Sequence, residues 1–245
     1  MYRLTVTTLV ALGLVACGGA GDDEVLVSAA ASLSDAFADI ESAFEIINPG
    51  VDVVLNLASS SALREQILEG APIDVFAPAN ASNMDQVVAG GDVLGEPELF
   101  ARNLLQIAVP AGNLAGVTGL GDFADEELLI GLCAEEVPCG DLGRQALANA
   151  GVTAAIDTVE PDVRALLTKI EAGELDAGIT YVTDVLAAGG TVEGIDIAEG
   201  VNVGATYPIA VLGNGPNPGA GVVFVAFVLS EQGQAILASY GFSSP

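Results

Sequence analysis

Five short stretches of the chain set small or polar residues where an apolar run gives way to a helical pattern: Ser32, Ser59 to Ser61, Cys139-Gly140, Pro161 to Val163, and Tyr181 to Thr183. The start of a helix leaves N–H groups unpaired and carries partial positive charge, so each position offers donors to an anion. Serine, threonine and tyrosine add O–H donors of their own. If the five starts converge, a compact anion accepts from all of them without any Lys or Arg. Singly, each has an ordinary structural reading. A serine before a helix is an N-cap, Tyr181 is a half-buried core aromatic, Val163 is core, and Cys139 is one end of a staple. Arg164 is either an anion clamp or a surface partner of Asp162 and Glu160. Only convergence separates these readings.

The elements that must bring them together follow from periodicity. From Val25 onward, short apolar runs alternate with helical spacing near 3.6, which is the grammar of an α/β fold. The run at Val25 leads into a helix with Leu33, Ala36, Phe37, Ile40 and Phe44 on one face, and 51–57 leads into one carrying Leu63, Ile67 and Leu68. A short strand over 73–77 precedes a helix at 83–89. Residues 104–110 read as a longer strand, after which the grammar restarts with 128–132 and a helix bearing Leu142, Ala146 and Leu147. Next come a helix with Pro161 at its first position, a strand at 177–181 and a helix at 182–188. Residues 207–212 form a second connecting strand, and helices over 220–229 and 232–240 complete the first unit. Two connecting strands predict two lobes, 24–103 plus 206–245 and 104–205, with a hinge and a cleft between them.

Composition removes several alternatives. The 245 residues hold 33 Asp+Glu against 6 Lys+Arg, no His and no Trp, for a formal charge of −27. So few cations cannot displace counterions from a nucleic acid or form a polybasic membrane patch. Without histidine there is no Ser/His/Asp or Cys/His nucleophile and no His-ligated zinc. A secreted serine hydrolase built on a serine such as Ser60 would have only Lys169 as a basic partner. With 51% apolar and 16% charged residues, the chain is globular rather than disordered. The acidic runs at 22–24, 125–127 and 135–136 read as solvated loops and lack a calcium-loop pattern.

At the N-terminus, Arg3 precedes an uncharged run over 4–16 that ends in Leu14-Val15-Ala16-Cys17. This has the layout of an export signal and is too short to span a bilayer comfortably. Leu-Val-Ala-Cys resembles the bacterial lipoprotein signal, which implies a signal peptide over 1–16, a lipidated Cys17 and a flexible tether over 17–23. An ordinary secretory peptide with an incidental cysteine is the alternative. With Cys17 acylated, Cys133 and Cys139 remain as an even pair in an exported protein, where disulfides form and persist. Two free thiols are the other option, and two cysteines without histidine make a poor metal site.

Taken in order, Val27-Ser-Ala-Ala-Ala-Ser32-Leu33, Ala58-Ser-Ser60-Ser61-Ala-Leu63, Gly70-Ala-Pro-Ile-Asp74-Val-Phe76, Val137-Pro-Cys139-Gly140, Glu160-Pro-Asp-Val163-Arg164, Gly178-Ile-Thr-Tyr181 and Tyr240-Gly-Phe242 resemble the periplasmic molybdate-binding proteins of ABC importers. The matches cover essentially the whole mature chain. The resemblance implies an α/β, two-lobed periplasmic-binding-protein fold of type II, with two connecting strands at the hinge and the ligand cleft between lobes. It implies a binding protein and not an enzyme, with no cofactor and no metal ligated directly, the metal being held as its oxyanion. Ser32 and Ser60 would donate hydroxyl and N–H, Cys139 and Val163 their backbone N–H, and Tyr181 its phenolic O–H. Cysteine stands at 139 where others often have alanine, which a backbone donor tolerates. The implied protein is an extracytoplasmic, lipid-anchored monomer that binds molybdate and tungstate and delivers them to an ABC permease in the membrane. A receptor for sulfate or another tetrahedral oxyanion on the same fold is the alternative. A ligand-sensing regulator domain shares the fold, but the export signal argues against it.

Overall fold

A computed structural model describes residues 24–245. The expected signal peptide, Cys17 and the tether lie outside the described residues. Strand β1 (Glu24–Ala30) passes through a single 3-10 turn, Ala31–Leu33, into helix α1 (Ser34–Ile47), and β2 (Asp52–Ala58) leads into α2 (Ser60–Leu68). β3 (Val75–Ala77) and α3 (Ala81–Gly90) follow, then the 18-residue strand β4 (Val93–Pro110). The next elements are β5 (Ile130–Cys133), α4 (Pro138–Asn149), β6 (Thr158–Glu160), α5 (Val163–Glu171), β7 (Ala177–Tyr181), α6 (Val182–Ala187) and β8 (Val192–Asp196). The chain ends with β9 (Gly204–Leu212), α7 (Pro218–Leu229) and α8 (Glu231–Ser239).

The strand order is β2-β1-β3-β9-β4-β7-β5-β6, with β8 also on β4. β1 runs parallel to β2 and β3, and β5 runs parallel to β6 and β7. Parallel strands buried on both faces are continuous apolar runs, and from Val27 to Ala30 every residue of β1 is buried. β4 joins the two sets of strands. It pairs antiparallel with β9 as far as Leu104, then with β7 from Leu105 and β8 from Gln106. This is the two-lobed α/β architecture expected from the alternation of runs.

Each lobe is held by apolar packing of a different kind. In the first, Phe37, Phe44, Phe100, Phe224, Phe227, Tyr207 and Phe242 meet largely edge to face, with ring centroids 5.3 to 6.2 Å apart, the geometry that aromatic quadrupoles favour. The second is mostly aliphatic, with Ile107, Leu132, Leu166, Ile170 and Ile179 buried beside a single phenylalanine in that lobe, Phe123, which is itself buried. Asp74 is wholly buried in the first lobe. Its carboxylate accepts from Leu26 N at 2.9 Å and Asn217 N at 2.6 Å, fastening β1 to the turn before α7. A buried carboxylate so placed needs both donors, and removing either would strand its charge.

The structure departs from the periodicity reading in four places. β4 begins at Val93 and not at Leu104; the β4–β9 register shifts between Leu94 and Glu98, and an irregularity there accommodates Pro97. β8 was hidden in the glycine-rich stretch after α6. Leu68 turns outward at the end of α2, 46% exposed. Pro161 is not the first helical residue. Asp162, at φ −159° and ψ 174°, caps α5, its carboxylate accepting from Arg164 N and Ala165 N. Glu160, held extended by the following proline, ends β6.

Candidate functional site

In parallel α/β units the carboxyl ends of strands face the ligand crevice. Here six such ends, those of β1, β2, β3, β5, β6 and β7, open on one cleft. Its lining includes Ser32, Ser60, Cys139, Val163 and Tyr181, together with Ser59, Ala79 and Asp162. All five residues singled out from the sequence therefore meet. The cavity volume is about 20 Å³, far below the ~300–1,000 Å³ of pockets for drug-sized ligands and close to the space of a single small species. Among the described residues, no Lys or Arg lines it.

Helix starts supply the donors. Ser59, in extended conformation, caps α2 by accepting from Ala62 N. Ser60 is 1% exposed, and its Oγ accepts from Ala79 N at 2.9 Å, which turns the hydroxyl hydrogen away from the Ala79 amide and leaves it to donate elsewhere. Val137 starts α4 without a side-chain cap, and Pro138 has no N–H, so Cys139 N is the first donor of that helix. Asp162 takes the second and third amides of α5 and leaves Val163 N. Among the described residues no backbone or side-chain oxygen accepts from Cys139 N or Val163 N.

Tyr181 is 1% exposed, and its hydroxyl has no hydrogen-bond partner among the described residues. Burial, reinforced by Tyr207, Asp184 and Asp141, pushes its pKa well above the ordinary phenol value. It is thus a neutral O–H donor throughout the physiological range. Its backbone N–H is held by the Asp184 carboxylate at 3.0 Å.

Cys133 and Cys139 are joined by a disulfide. Two further contacts fix the same loop. The Arg144 guanidinium donates to the carbonyls of Cys133 at 2.8 Å and Gly140 at 3.0 Å. Gly140 packs so closely on the Ala134 carbonyl that any Cβ there would collide with it. The start of α4, and with it Cys139 N, is thereby fixed on the end of β5.

Several contacting residues escaped the sequence reading. Tyr207, in β9, lies 3.0 Å from Ser32 Oγ through its hydroxyl; in sequence it is one more member of an apolar strand. Asn103, in β4, donates to Thr183 Oγ1 at 2.8 Å. Both connecting strands thus reach the back of the site. Arg164 pairs neither with Asp162 nor with Glu160. It meets Asp35 of α1 at 2.6 Å and Asp184 of α6 at 3.7 Å, while Glu160 is taken by Lys169. No local pattern marks Asp35 or Asp184, since only the fold brings them to Arg164.

Known proteins share the fold. Residues 25–243 match the family model described as bacterial extracellular solute-binding protein. The Molybdate-binding protein ModA of Mycobacterium tuberculosis is 35% identical over 98% of this chain and 96% of its own length. Among solved structures, the periplasmic molybdate-binding protein of Azotobacter vinelandii superposes with TM-score 0.81 at 18% identity, over 90% of this chain and 99% of its own. The sulfate-binding protein SubI of Mycobacterium tuberculosis gives the same TM-score, 0.81, at 17% identity, over 90% and 86%. Equal scores for two different oxyanion proteins show the fold and do not choose the ion. By the match over 25–243 and the identity to ModA, the chain belongs to the bacterial extracellular solute-binding proteins.

Proposed function

We propose that the chain captures molybdate, and tungstate with it, outside the cytoplasm and delivers the ion to an ABC import permease. The lobes in this reading are 24–103 plus 206–245 and 104–205, with Ser32, Ser60, Cys139, Val163 and Tyr181 as the ligand-binding set. The observation that carries it is the Tyr181 hydroxyl, a buried donor without an acceptor among the described residues, on a cleft that also offers helix-start amides and serine hydroxyls. Such a site suits a fully deprotonated tetrahedral dianion, which only accepts hydrogen bonds. Monohydrogen phosphate also donates, and Asp162, the one carboxylate at the cleft among the described residues, is occupied in capping α5. The molybdate-binding relative supports the same ion.

The magnitudes are adequate. About six charge-assisted bonds at roughly 1.5 kcal/mol net each give ~9 kcal/mol, against ~8 kcal/mol for micromolar binding. Molybdate, tungstate and sulfate carry the same charge, so discrimination among them falls to the size of the cavity. Calorimetry of the protein with molybdate, tungstate, sulfate and phosphate is expected to give micromolar or tighter binding for the first two alone. Strong sulfate binding would defeat the specificity, and silence toward all four would defeat the oxyanion reading. Hydrolysis at Ser60 has little support, because Lys169, the lysine that could assist it, is bound to Glu160.

The disulfide adds a second expected result. Holding Cys139 N in place before the ligand arrives lowers the ordering cost of binding. Cys133→Ala should cost about 2 kcal/mol of stability, as the loop-closure estimate for so short a loop gives, and should weaken molybdate binding several-fold in the same calorimetry. Unchanged affinity would mean that Arg144 and the close packing of Gly140 suffice to hold the loop.

A further inference from the structure

Arg164 joins elements that otherwise meet only across the cleft. It leaves α5 and reaches Asp35 on α1 at 2.6 Å, a contact spanning 129 residues of sequence, while its other nitrogen lies 3.7 Å from Asp184 on α6. Each of the three charges stands beside a residue of the candidate anion site. Asp35 lies three positions after Ser32, Arg164 follows Val163, and Asp184 holds the N–H of Tyr181. None of the three lines the cavity itself.

We propose that Asp35, Arg164 and Asp184 form a latch between the lobes, in which Arg164 and Asp35 are positioning residues that set how tightly the protein holds its ligand. Closure brings the 3-10 turn Ala31–Leu33 and the first residues of α1 in one lobe against α5 of the other. The Asp35–Arg164 pair can form only in that arrangement, so its free energy belongs entirely to the closed state and lowers the dissociation rate. Opening breaks the pair, and the side chains, 45% exposed for Asp35 and 30% for Arg164, pass to water at little cost. That partial exposure makes the latch weak enough to release. Asp184 stays with Arg164 and Tyr181 in the same lobe in either state, so the site half formed by Tyr181 and Val163 keeps its shape while the lobes move.

This inference deepens the oxyanion reading and rests on it for the identity of the ligand. The test uses Asp35→Asn, with Asp35→Glu as the conservative variant, and reads molybdate affinity, dissociation rate and the unfolding temperature of ligand-free protein. An exposed ion pair of this kind predicts an affinity about three- to five-fold weaker in Asp35→Asn, carried by faster dissociation and largely restored in Asp35→Glu. The unfolding temperature without ligand should fall by only about 1 °C, because only part of the ligand-free population is closed and carries the pair. Equal affinity, or a loss matched by a fall in ligand-free stability, would overturn the latch and leave Asp35 an ordinary surface charge. Spin labels at the exposed positions Leu68 and Leu114, one per lobe, give a readout without any ligand. Asp35→Asn should lengthen the distance between them, and an unchanged distance overturns the latch. If the wild type ignores molybdate while that distance still lengthens, the functional reading fails and the latch stands.

Discussion

Tyr181→Phe should bind molybdate roughly ten- to a hundred-fold more weakly and yet unfold at a higher temperature when no ligand is present. The two effects have opposite sign because they come from one unpaired group. The Tyr181 hydroxyl is buried and has no partner among the described residues, and an unsatisfied buried hydroxyl costs about 1–3 kcal/mol. Phenylalanine keeps the ring, including its edge contact with Tyr207 at 6.4 Å, and removes that cost. A gain near 1 kcal/mol in a chain of this size is worth about 2–4 °C. With an anion in the cleft, the same hydroxyl becomes a charge-assisted donor worth about 1.5–3 kcal/mol.

Calorimetry and thermal unfolding of the same variant check both halves. A fall in ligand-free stability would show that the hydroxyl already has a partner in the folded protein. Unchanged affinity would remove Tyr181 from the site. Ser60→Ala makes a useful contrast, because Ser60 Oγ accepts from Ala79 N. Its loss strands a buried amide and should lower stability and affinity together.

What could be read from the sequence was local. Ser32, Ser60, Cys139, Val163 and Tyr181 each stand where an apolar run ends and a helix begins, and composition at such junctions is set by the backbone groups that need caps. The faces of α1 and α4 were legible because 3.6-residue spacing survives any tertiary context. Residues that matter through distant partners were not legible. Arg164 stands two and four positions from carboxylates in sequence and pairs with neither, since Asp162 is consumed in capping its own helix and Glu160 by Lys169. Tyr207 looks like any aromatic in a connecting strand until Ser32 is found against its hydroxyl. The first half of β4 was not legible either; Gly95 and Pro97 fall where its register against β9 shifts.

The charge of the chain narrows what a binding site on it can be. A protein at −27 repels a dianion at long range, although at physiological salt this is screened beyond about 8 Å. Attraction must therefore be generated within the cleft. Helix-start dipoles do this without bringing in a mobile cation, since Arg144 is spent on the carbonyls of Cys133 and Gly140 and Arg164 is engaged by Asp35 at 2.6 Å. Arg164 therefore serves geometry more than charge, because Asp35, the nearer of its two partners, offsets its field.

Those partners set the second large expectation, a loss of stability as pH rises from about 4 to about 7 that disappears in Asp184→Asn. Asp184 is wholly buried, and burial pushes its pKa up to about 7, with the carboxylate of Asp35 adding to the rise. The Tyr181 N–H and the Arg164 guanidinium pull it down but do not win. The arginine lies 3.7 Å away, too far for a hydrogen bond, and is engaged more closely by Asp35 at 2.6 Å. In the unfolded chain the same carboxyl titrates near 3.9. Between the two values the folded protein holds a proton that the unfolded chain has released, so stability falls with rising pH over that window. The full difference corresponds to about 4 kcal/mol, reached once pH passes the folded value. Asparagine imitates the protonated acid, keeps an oxygen for Tyr181 N and cannot ionise. Denaturant unfolding at pH 5 and pH 8 should therefore show the wild type losing stability relative to Asp184→Asn as pH rises, while the remaining carboxylates act alike in both. Parallel behaviour would mean that Asp184 does not change its proton over this range. A wild type that gains on the variant toward pH 8 would mean that Arg164 holds Asp184 ionised after all.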